Sequence, residues 1–188
     1  WYFGLQQISH TLAFTDIYIS VDASLPFVPL FIWPYIYWYL FIVGTVVYFF
    51  FKDKSEFYKN VAFLFIGMTI CLVIFTVFPT TFDHRPVEWN ADSMSAFFID
   101  FIYSADKCQN VFPSIHVYNS IVIGYALNRS HLFQEKEFLK VINNCIVLLI
   151  CASTVLLKQH AFIDIVAAVV LAIIIICLIN KGEERFLD

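Results

Sequence analysis

Long runs of apolar residues recur along this chain and set the first limit on its fold. They cover residues 61–78, 141–157 and 165–179, and none of them contains a charged side chain. A helix needs about 20 mostly apolar residues to cross the hydrocarbon core of a bilayer. The chain is 61% hydrophobic and only 14% charged, whereas soluble domains are about half apolar and a quarter charged. The sequence therefore predicts an integral membrane protein rather than a soluble domain with apolar core helices.

The runs and the polar segments between them predict an all-α, polytopic transmembrane helix bundle that forms a single domain over residues 1–188. We expect five spans, at residues 26–51, 57–78, 114–128, 138–157 and 161–179. The stretch 93–103, inside the long outer loop 79–113, is amphipathic and predicts a short interfacial helix. Residues 1–25 are interpreted as an outer segment or as the tail of a truncated first helix, so a sixth span is expected before them.

The positions of the basic residues predict the orientation of these spans. Cytoplasmic loops of membrane proteins carry the excess of Lys and Arg. Five alternating spans bring most of the basic residues to one side, namely Lys52, Lys54, Lys59, Arg129, Lys136, Lys140, Lys181 and Arg185. The remaining three, Arg85, Lys107 and Lys158, fall on the opposite, extracytoplasmic face. Short loops are typical of bacterial inner-membrane proteins. We therefore expect the protein in the plasma membrane, and specifically in a bacterial inner membrane.

Two histidines and an aspartate stand at outer helix ends beside those three cations. His160 and Asp164 are four residues apart, so a helix that begins near residue 160 presents both on one face. The carboxylate can then orient the imidazole and leave its other nitrogen free to attack phosphorus. His116 can protonate the leaving oxygen and later activate water or an alcohol. Ionisable groups at this depth in a membrane protein indicate a functional site.

Neighbouring groups are suited to bind a phosphate at that site. Arg85 and Lys158 can neutralise phosphoryl oxygens, and Ser114, at a predicted helix N-terminus, offers a hydroxyl and nearby backbone amides. His84 is expected to line the site, and Lys107 is interpreted as a loop charge. A zinc site built from the histidines is an alternative. Because the adjacent cations would repel a metal ion, we expect no metal and no other cofactor.

The order of these residues resembles the three motifs of the type 2 phosphatidic acid phosphatase superfamily. Arg85-Pro86 matches the end of the first motif (Lys, six residues, Arg-Pro), and residues 113–116, Pro-Ser-Ile-His, match the second with Ile for Gly. Ser153, His160 and Asp164 match the third motif (Ser-Arg, five residues, His, three residues, Asp). The resemblance implies six transmembrane helices, with His160 as nucleophile, His116 as general acid and Ser153 in the phosphate-binding set.

Two cations of that family pattern are absent, since Phe78 and Thr154 occupy their positions. A thinner set of cations suits a phosphodiester, or a transfer to an alcohol. Residues 110–116 also resemble the branch of the superfamily that includes inositol phosphorylceramide synthases. The same departures are also compatible with a member of weak activity.

The combined prediction is a lipid phosphatase that acts at the outer face through a phosphohistidine, with a lipid phosphate in the bilayer as its partner. A head-group phosphotransferase stays open, and so does a non-catalytic lipid-phosphate binder or transporter. A nucleic-acid partner is not expected, because the net charge is −4 and no basic stretch is present.

Overall fold

The computed structural model of the chain describes residues 1–185, without the side chains of residues 2, 3, 9, 93, 179 and 181–185. Lys181 and Arg185 are among the basic residues that predict the orientation of the spans. Their side chains therefore lie outside this description. The described helices are α1 (Tyr2–Gln7), α2 (Ser20–Ser24), α3 (Ile32–Lys52), α4 (Lys54–Val77), α5 (Ser93–Ala105), α6 (Ile115–Arg129), α7 (Glu137–Leu156) and α8 (Phe162–Arg185). Two strands, β1 (Thr15–Asp16) and β2 (Thr80–Thr81), and two 3₁₀ turns, Ser9–Thr11 and Pro29–Phe31, accompany them.

Each of the five predicted spans overlaps one helix, in chain order α3, α4, α6, α7 and α8, and the predicted amphipathic stretch overlaps α5. Among the residues described, three helical segments are long and apolar enough to cross a bilayer: Pro29–Lys52, Lys54–Val77 and Glu137–Leu156. The apolar part of α8, Phe162–Leu178, is shorter, and α6 has only 15 residues. A mostly helical membrane fold is therefore supported, and the small two-stranded sheet is an addition to the predicted all-α fold, whereas a count of five or six spans stays a prediction.

The first predicted span begins later than the sequence suggests. Its helix α3 starts at Ile32 rather than near residue 26, and the 3₁₀ turn Pro29–Phe31 precedes it. Proline lacks a backbone N–H and fixes φ, so it is tolerated in a turn or in the first turn of a helix but interrupts a helix interior. The prolines at positions 26, 29 and 34 therefore favour a turn followed by a new helix start.

Capping side chains fix where other helices begin. Asp53 accepts a hydrogen bond from the backbone N of Glu56 at 3.0 Å, and α4 starts directly after it. Ser114 accepts one from the backbone N of Val117 at 3.4 Å and precedes α6 in the same way. Such side chains satisfy amides that the first helical turn leaves without a partner. The caps place the start of α4 ahead of the predicted residue 57 and the start of α6 next to His116.

Helix α6 is the centre of the bundle and packs against α3, α4, α7 and α8. Its Tyr118 is fully buried and donates from Oη to the carbonyl oxygen of Phe63 in α4 at 2.8 Å. Gly67 of α4 lies against the same ring, and a Cβ at that position would overlap Tyr118. The two helices thus approach closely, and this contact fixes α6 relative to α4.

Two short parallel strands tie the N-terminal segment to the loop that follows α4. Thr15 pairs with Thr80, and Asp16 pairs with Thr81. The carbonyl oxygen of Thr80 also accepts a hydrogen bond from the backbone N of Asn110 at 2.6 Å. The N-terminal segment, the loop after α4 and the loop before α6 are therefore joined at one end of the bundle.

Candidate functional site

The pair His160 and Asp164 forms where α7 turns into α8. His160 lies in the turn, and Asp164 lies in the first turn of α8. The Nδ1 atom of His160 is 3.0 Å from Oδ2 of Asp164, and the same oxygen accepts a hydrogen bond from the backbone N of Ala161 at 3.1 Å. Both side chains are buried. A carboxylate at Nδ1 favours the tautomer with its proton there, which leaves a lone pair on Nε2.

His116 faces that second nitrogen of His160. It is the second residue of α6, and its Nδ1 lies 3.4 Å from Nε2 of His160. The ring of His116 packs against Tyr35 and Trp38 of α3, with centroid distances of 5.0 Å and 4.4 Å. The two histidines and Asp164 therefore form one continuous chain of side chains, and α3 supports its open end.

Ser114 joins the two helices that carry this chain. Its backbone N donates to the carbonyl oxygen of Asp164 at 3.3 Å, so the starts of α6 and α8 are in direct contact. Its side chain is fully buried and caps α6. The N-terminus of a helix favours an anion because its first amides point outward with a positive end dipole. That positive end lies beside His116.

Arg85, in the loop between α4 and α5, reaches the neighbourhood of His160 through Gln159. Its terminal nitrogens donate to the carbonyl oxygens of Tyr103 (2.9 Å) and Asp106 (2.6 Å) and to Oε1 of Gln159 (2.6 Å). The guanidinium carbon also lies 4.1 Å from the centre of the Tyr103 ring. Protein oxygens thus occupy its terminal nitrogens, and a direct contact between Arg85 and phosphate stays a prediction.

A cavity of about 370 Å³ lies against the two histidines. Aromatic side chains of α3 form part of its wall, and the polar segment that precedes α6 forms another part. The lining residues are Gln6, Tyr35, Trp38, Tyr39, Phe75, Ile102, Ala105, Asp106, Gln109, Asn110, Val111, Ile115, His116 and His160. The cavity is large enough for a small molecule or for part of a lipid.

One known family matches most of the chain. The model of the PAP2 superfamily matches residues 20–178, which include every residue of the histidine chain. The chain belongs to the PAP2 superfamily. This membership confirms the predicted superfamily of type 2 phosphatidic acid phosphatases and indicates a phosphatase or phosphotransferase activity. Searches among curated proteins and among solved structures gave no match.

Two positions of this PAP2 protein lack the cations that the family motifs contain. Phe78 follows α4, and its ring lies 6.4 Å from the ring of Phe112. The carbonyl oxygen of Thr154 accepts hydrogen bonds from the backbone N atoms of Gln159 and His160 at 3.0 Å and 3.1 Å. Thr154 therefore shapes the turn that carries His160, but neither residue supplies positive charge.

The predicted phosphate ligands Lys158 and Ser153 contact other groups. The Nζ atom of Lys158 donates to the carbonyl oxygens of Asp22 and Leu25 at 2.8 Å and 2.7 Å. Partial burial lowers the pKa of Lys158, and the charge of Asp22 opposes that shift. The Oγ atom of Ser153 donates to the carbonyl oxygen of Ile150 at 2.6 Å within α7. These contacts do not test a phosphate contact, so the phosphate roles of Lys158 and Ser153 stay predictions.

Asp22, a buried carboxylate of the N-terminal segment, also contacts this region and was not predicted from the sequence. Its Oδ1 accepts a hydrogen bond from the backbone N of Phe162, the first residue of α8, at 2.7 Å. Its Oδ2 accepts another from the backbone N of Ile19 at 2.9 Å. Asp22 therefore caps the helix that carries Asp164. An acidic residue between apolar neighbours is a signal in the sequence, but nothing in the spacing points to a partner so far along the chain.

Three other titratable groups near the site, His84, Cys108 and Lys107, differ in their surroundings. The Nε2 atom of His84 lies 2.9 Å from Oδ2 of Asp16, and this hydrogen bond lowers the pKa of Asp16. Burial raises the pKa of Cys108 to about 12, so its thiol stays protonated at neutral pH. Lys107 is exposed. Within the described part of the chain, no group of three or more His, Cys, Asp or Glu side chains is placed to bind a metal ion.

Proposed function

We propose that this protein is a membrane lipid phosphatase or phosphotransferase that cleaves phosphate esters through a phosphohistidine at His160. The observation that carries the proposal is the chain from Asp164 through His160 to His116, with contacts of 3.0 Å and 3.4 Å. Superfamily membership supports the same reaction class. The roles of the three side chains follow from their positions in this chain.

In the first step, Nε2 of His160 attacks phosphorus. Asp164 orients the ring and stabilises the positive charge that develops on it. His116, in its protonated form, gives a proton to the leaving oxygen of the lipid alcohol. The bond between nitrogen and phosphorus forms while the bond between phosphorus and that oxygen breaks. The alcohol product then departs, and the phosphoryl group stays bound to Nε2 of His160.

In the second step, an oxygen nucleophile removes that phosphoryl group. His116 now lacks its proton and accepts one from the attacking molecule. Water as the attacker gives hydrolysis, and an alcohol gives transfer to a new ester. The bond between nitrogen and phosphorus breaks with its electron pair returning to His160, so the enzyme is restored.

Substrate binding requires the two histidine rings to separate. Reacting atoms in a productive arrangement stand about 3–3.5 Å apart. The gap of 3.4 Å between Nδ1 of His116 and Nε2 of His160 cannot hold a phosphorus atom between them. The proposal therefore requires a side-chain movement that widens this gap, at a ring of His116 that now packs against Tyr35 and Trp38.

Transfer to an alcohol is favoured over plain hydrolysis by the charge of the cavity. No Lys or Arg occurs among the described residues that line it, and the terminal nitrogens of the neighbouring Arg85 bind protein oxygens. A phosphate monoester with two negative charges is poorly matched to such a lining, and a diester with one charge is matched better. Phe78 and Thr154, which occupy the two positions where the family motifs have cations, support the same conclusion. The likeness of residues 110–116 to inositol phosphorylceramide synthases also supports transfer.

The proposed location is the extracytoplasmic face of a bacterial inner membrane. Three described helices are long and apolar enough to cross a bilayer. With α6 and α8 as further spans, the basic residues after α3, before α7 and at the C-terminus share one side, which the positive-inside rule assigns to the cytoplasm. The ends that carry His116 and His160 then face outward.

The test is trapping the phosphoryl group on the purified protein in lipid nanodiscs. Wild-type protein is mixed with ³²P-labelled phosphatidic acid and with a labelled phosphodiester lipid, and the reaction is stopped in alkali, which preserves phosphohistidine. We expect acid-labile label on wild-type protein and none on His160→Ala. His131→Ala, an exposed histidine beyond the other end of α6, serves as the control and is expected to label normally.

Two outcomes would contradict this proposal. Turnover by His160→Ala at the wild-type rate would remove the nucleophile assignment. Saturable lipid-phosphate binding without turnover, retained in His116→Ala, would instead support the non-catalytic binder or transporter.

A further inference from the structure

Four buried polar atoms of the cavity wall have no hydrogen-bond partner among the described residues. They are Nε1 of Trp38, Oε1 of Gln109, and both Nδ2 and Oδ1 of Asn110. All three residues line the cavity that contacts His116 and His160. Asn110 is only 3% exposed, so bulk solvent does not satisfy its amide. Buried polar groups are nearly always paired, so this concentration of unpaired atoms beside the histidines points to a ligand.

The chemistry of the four atoms limits what that ligand is. Two of them are donors, on Trp38 and Asn110, and two are acceptors, on Gln109 and Asn110. Phosphate oxygens would pair with the donors alone, and an ammonium group would pair with the acceptors alone. A hydroxyl both donates and accepts, so two or more hydroxyls on one group can pair with all four atoms.

The rest of the wall fits a neutral group with one apolar face. Tyr35, Trp38 and Tyr39 of α3 give the cavity an aromatic surface, and aromatic rings pack well against carbon–hydrogen faces. No Lys or Arg is among the described lining residues, and the terminal nitrogens of the neighbouring Arg85 bind the carbonyl oxygens of Tyr103 and Asp106 and Oε1 of Gln159. A polyol carbon skeleton offers such a face together with several hydroxyls.

We propose that this cavity binds a neutral, hydroxyl-bearing group, with Asn110 and Gln109 as the residues that recognise its hydroxyls. The inference rests on the proposed phosphoryl chemistry and names the substrate class of the same site. The group has two sources with the same chemistry: the head group of a phosphodiester lipid, or a free alcohol that accepts the phosphoryl group.

The position of the cavity makes either source productive. When the alcohol is the acceptor, its oxygen attacks phosphorus on His160 and its proton passes to His116. The bond from phosphorus to nitrogen breaks, and its electron pair returns to Nε2. When the group is part of the donor lipid, one of its oxygens is esterified to phosphorus and its free hydroxyls contact the two amides.

Backbone geometry selects the variants that test the recognition residues. Asn110 has φ of 57°, a left-handed conformation that glycine adopts without strain, so Asn110→Gly removes the amide and keeps the backbone. Gln109→Leu removes the second amide at similar size. The matched control is Asn119→Leu, because Asn119 is also buried with an unpaired Oδ1 but does not line the cavity.

The experiment separates the two sources by its arms. In one arm, turnover of phosphatidylinositol and phosphatidylglycerol is compared with that of phosphatidylcholine, whose head group has no hydroxyl. In the other arm, the labelled phosphoenzyme is mixed with glycerol or myo-inositol in water, and the fraction of label that passes to each acceptor is measured. Loss of one such hydrogen bond weakens binding by about tenfold. We expect Asn110→Gly and Gln109→Leu each to reduce turnover by about tenfold with the hydroxylated lipids only, or to reduce transfer to glycerol and myo-inositol by about tenfold. The arm that shows the reduction identifies the source of the group.

The recognition proposal is overturned if both variants lose activity equally with every donor lipid and acceptor. It is also overturned if neither variant changes activity with any of them. A third measurement does not depend on turnover: saturation-transfer NMR of myo-inositol and glycerol with wild-type protein, Asn110→Gly and Asn119→Leu. Binding that is lost in Asn110→Gly alone supports the site even if the phosphohistidine assignment fails. Absence of binding to wild-type protein, together with equal use of hydroxylated and choline lipids, rejects it.

Discussion

The carboxylate of Asp164 holds the imidazole of His160 through a 3.0 Å contact between Oδ2 and Nδ1. The same oxygen accepts the backbone N–H of Ala161, so the ring and the first turn of α8 share one acceptor. Orientation of the ring and the start of the helix are therefore determined together. This explains why the spacing of four residues in the sequence leads to a defined geometry in the fold.

Replacing Asp164 with Asn tests the orienting role. The amide can present its N–H₂ group to the ring and favour the tautomer with a proton on Nε2, which blocks attack on phosphorus. We expect kcat to fall by about 10³–10⁴-fold, as in hydrolases that lose the carboxylate behind a catalytic histidine. Asp16→Asn, which makes the same change at the carboxylate beside His84, is the control and should keep wild-type turnover. Equal turnover of the two variants would contradict the assignment.

Replacing Lys158 with Met separates a structural role from phosphate binding. Its Nζ atom donates to two carbonyl oxygens of the N-terminal segment, and hydrogen bonds of charged groups contribute about 1.5–3 kcal/mol. We expect lower thermal stability in detergent with an unchanged KM. Lys107→Met, at an exposed lysine, should alter neither quantity. A raised KM at unchanged stability would instead favour the phosphate contact that the sequence predicts.

Replacing Asp22 with Asn tests the cap on α8. The variant keeps one carbonyl acceptor but turns an N–H₂ group toward either Phe162 or Ile19, so one of two short hydrogen bonds is lost. Small displacements of a catalytic group reduce rate strongly, and we expect kcat to fall by about ten- to a hundredfold with KM retained. Ser24→Ala, in the same short helix, is the control. If Asp22→Asn changed only KM, the cap would not act through the histidine turn.

Replacing Gly67 with Ala tests the close approach of α4 and α6. The added methyl group would overlap the buried ring of Tyr118, and overpacking of this kind costs about 1–3 kcal/mol. Gly44→Ala in α3 meets no atom within 4 Å, so it should be neutral or stabilising. Unfolding temperatures of the two variants give the comparison. A similar temperature for both would show that the helices separate easily.

The helices could be predicted because their signals are local. Runs of apolar residues and capping side chains such as Asp53 and Ser114 act within a few positions of each other. The pairing of His160 with Asp164 was predictable for the same reason, since only four positions separate them, although His160 lies in the turn just before α8 rather than within the helix. The start of α3 was predicted wrongly, because apolar residues between prolines mimic a span while the prolines themselves favour a turn.

The partners of the predicted cations Arg85 and Lys158 could not be predicted, because apart from Oε1 of Gln159 they are backbone oxygens of distant segments. Arg85 donates to the carbonyl groups of Tyr103 and Asp106, and Lys158 donates to those of Asp22 and Leu25. Every residue has a carbonyl group, so the sequence carries no mark for such a partner. Only the folded arrangement of the loops selects which carbonyl groups lie within reach of each cation.

The hydrogen bond between Asp22 and Phe162 joins two residues that lie 140 positions apart. During synthesis from the N-terminus, the segment that contains Asp22 emerges long before its docking partner exists. The histidine turn is therefore finished only after α7 has been made and α8 has begun. A chain interrupted before that point leaves the segment around Asp22 without this anchor, so assembly of the site is a late event that couples two segments far apart in the sequence.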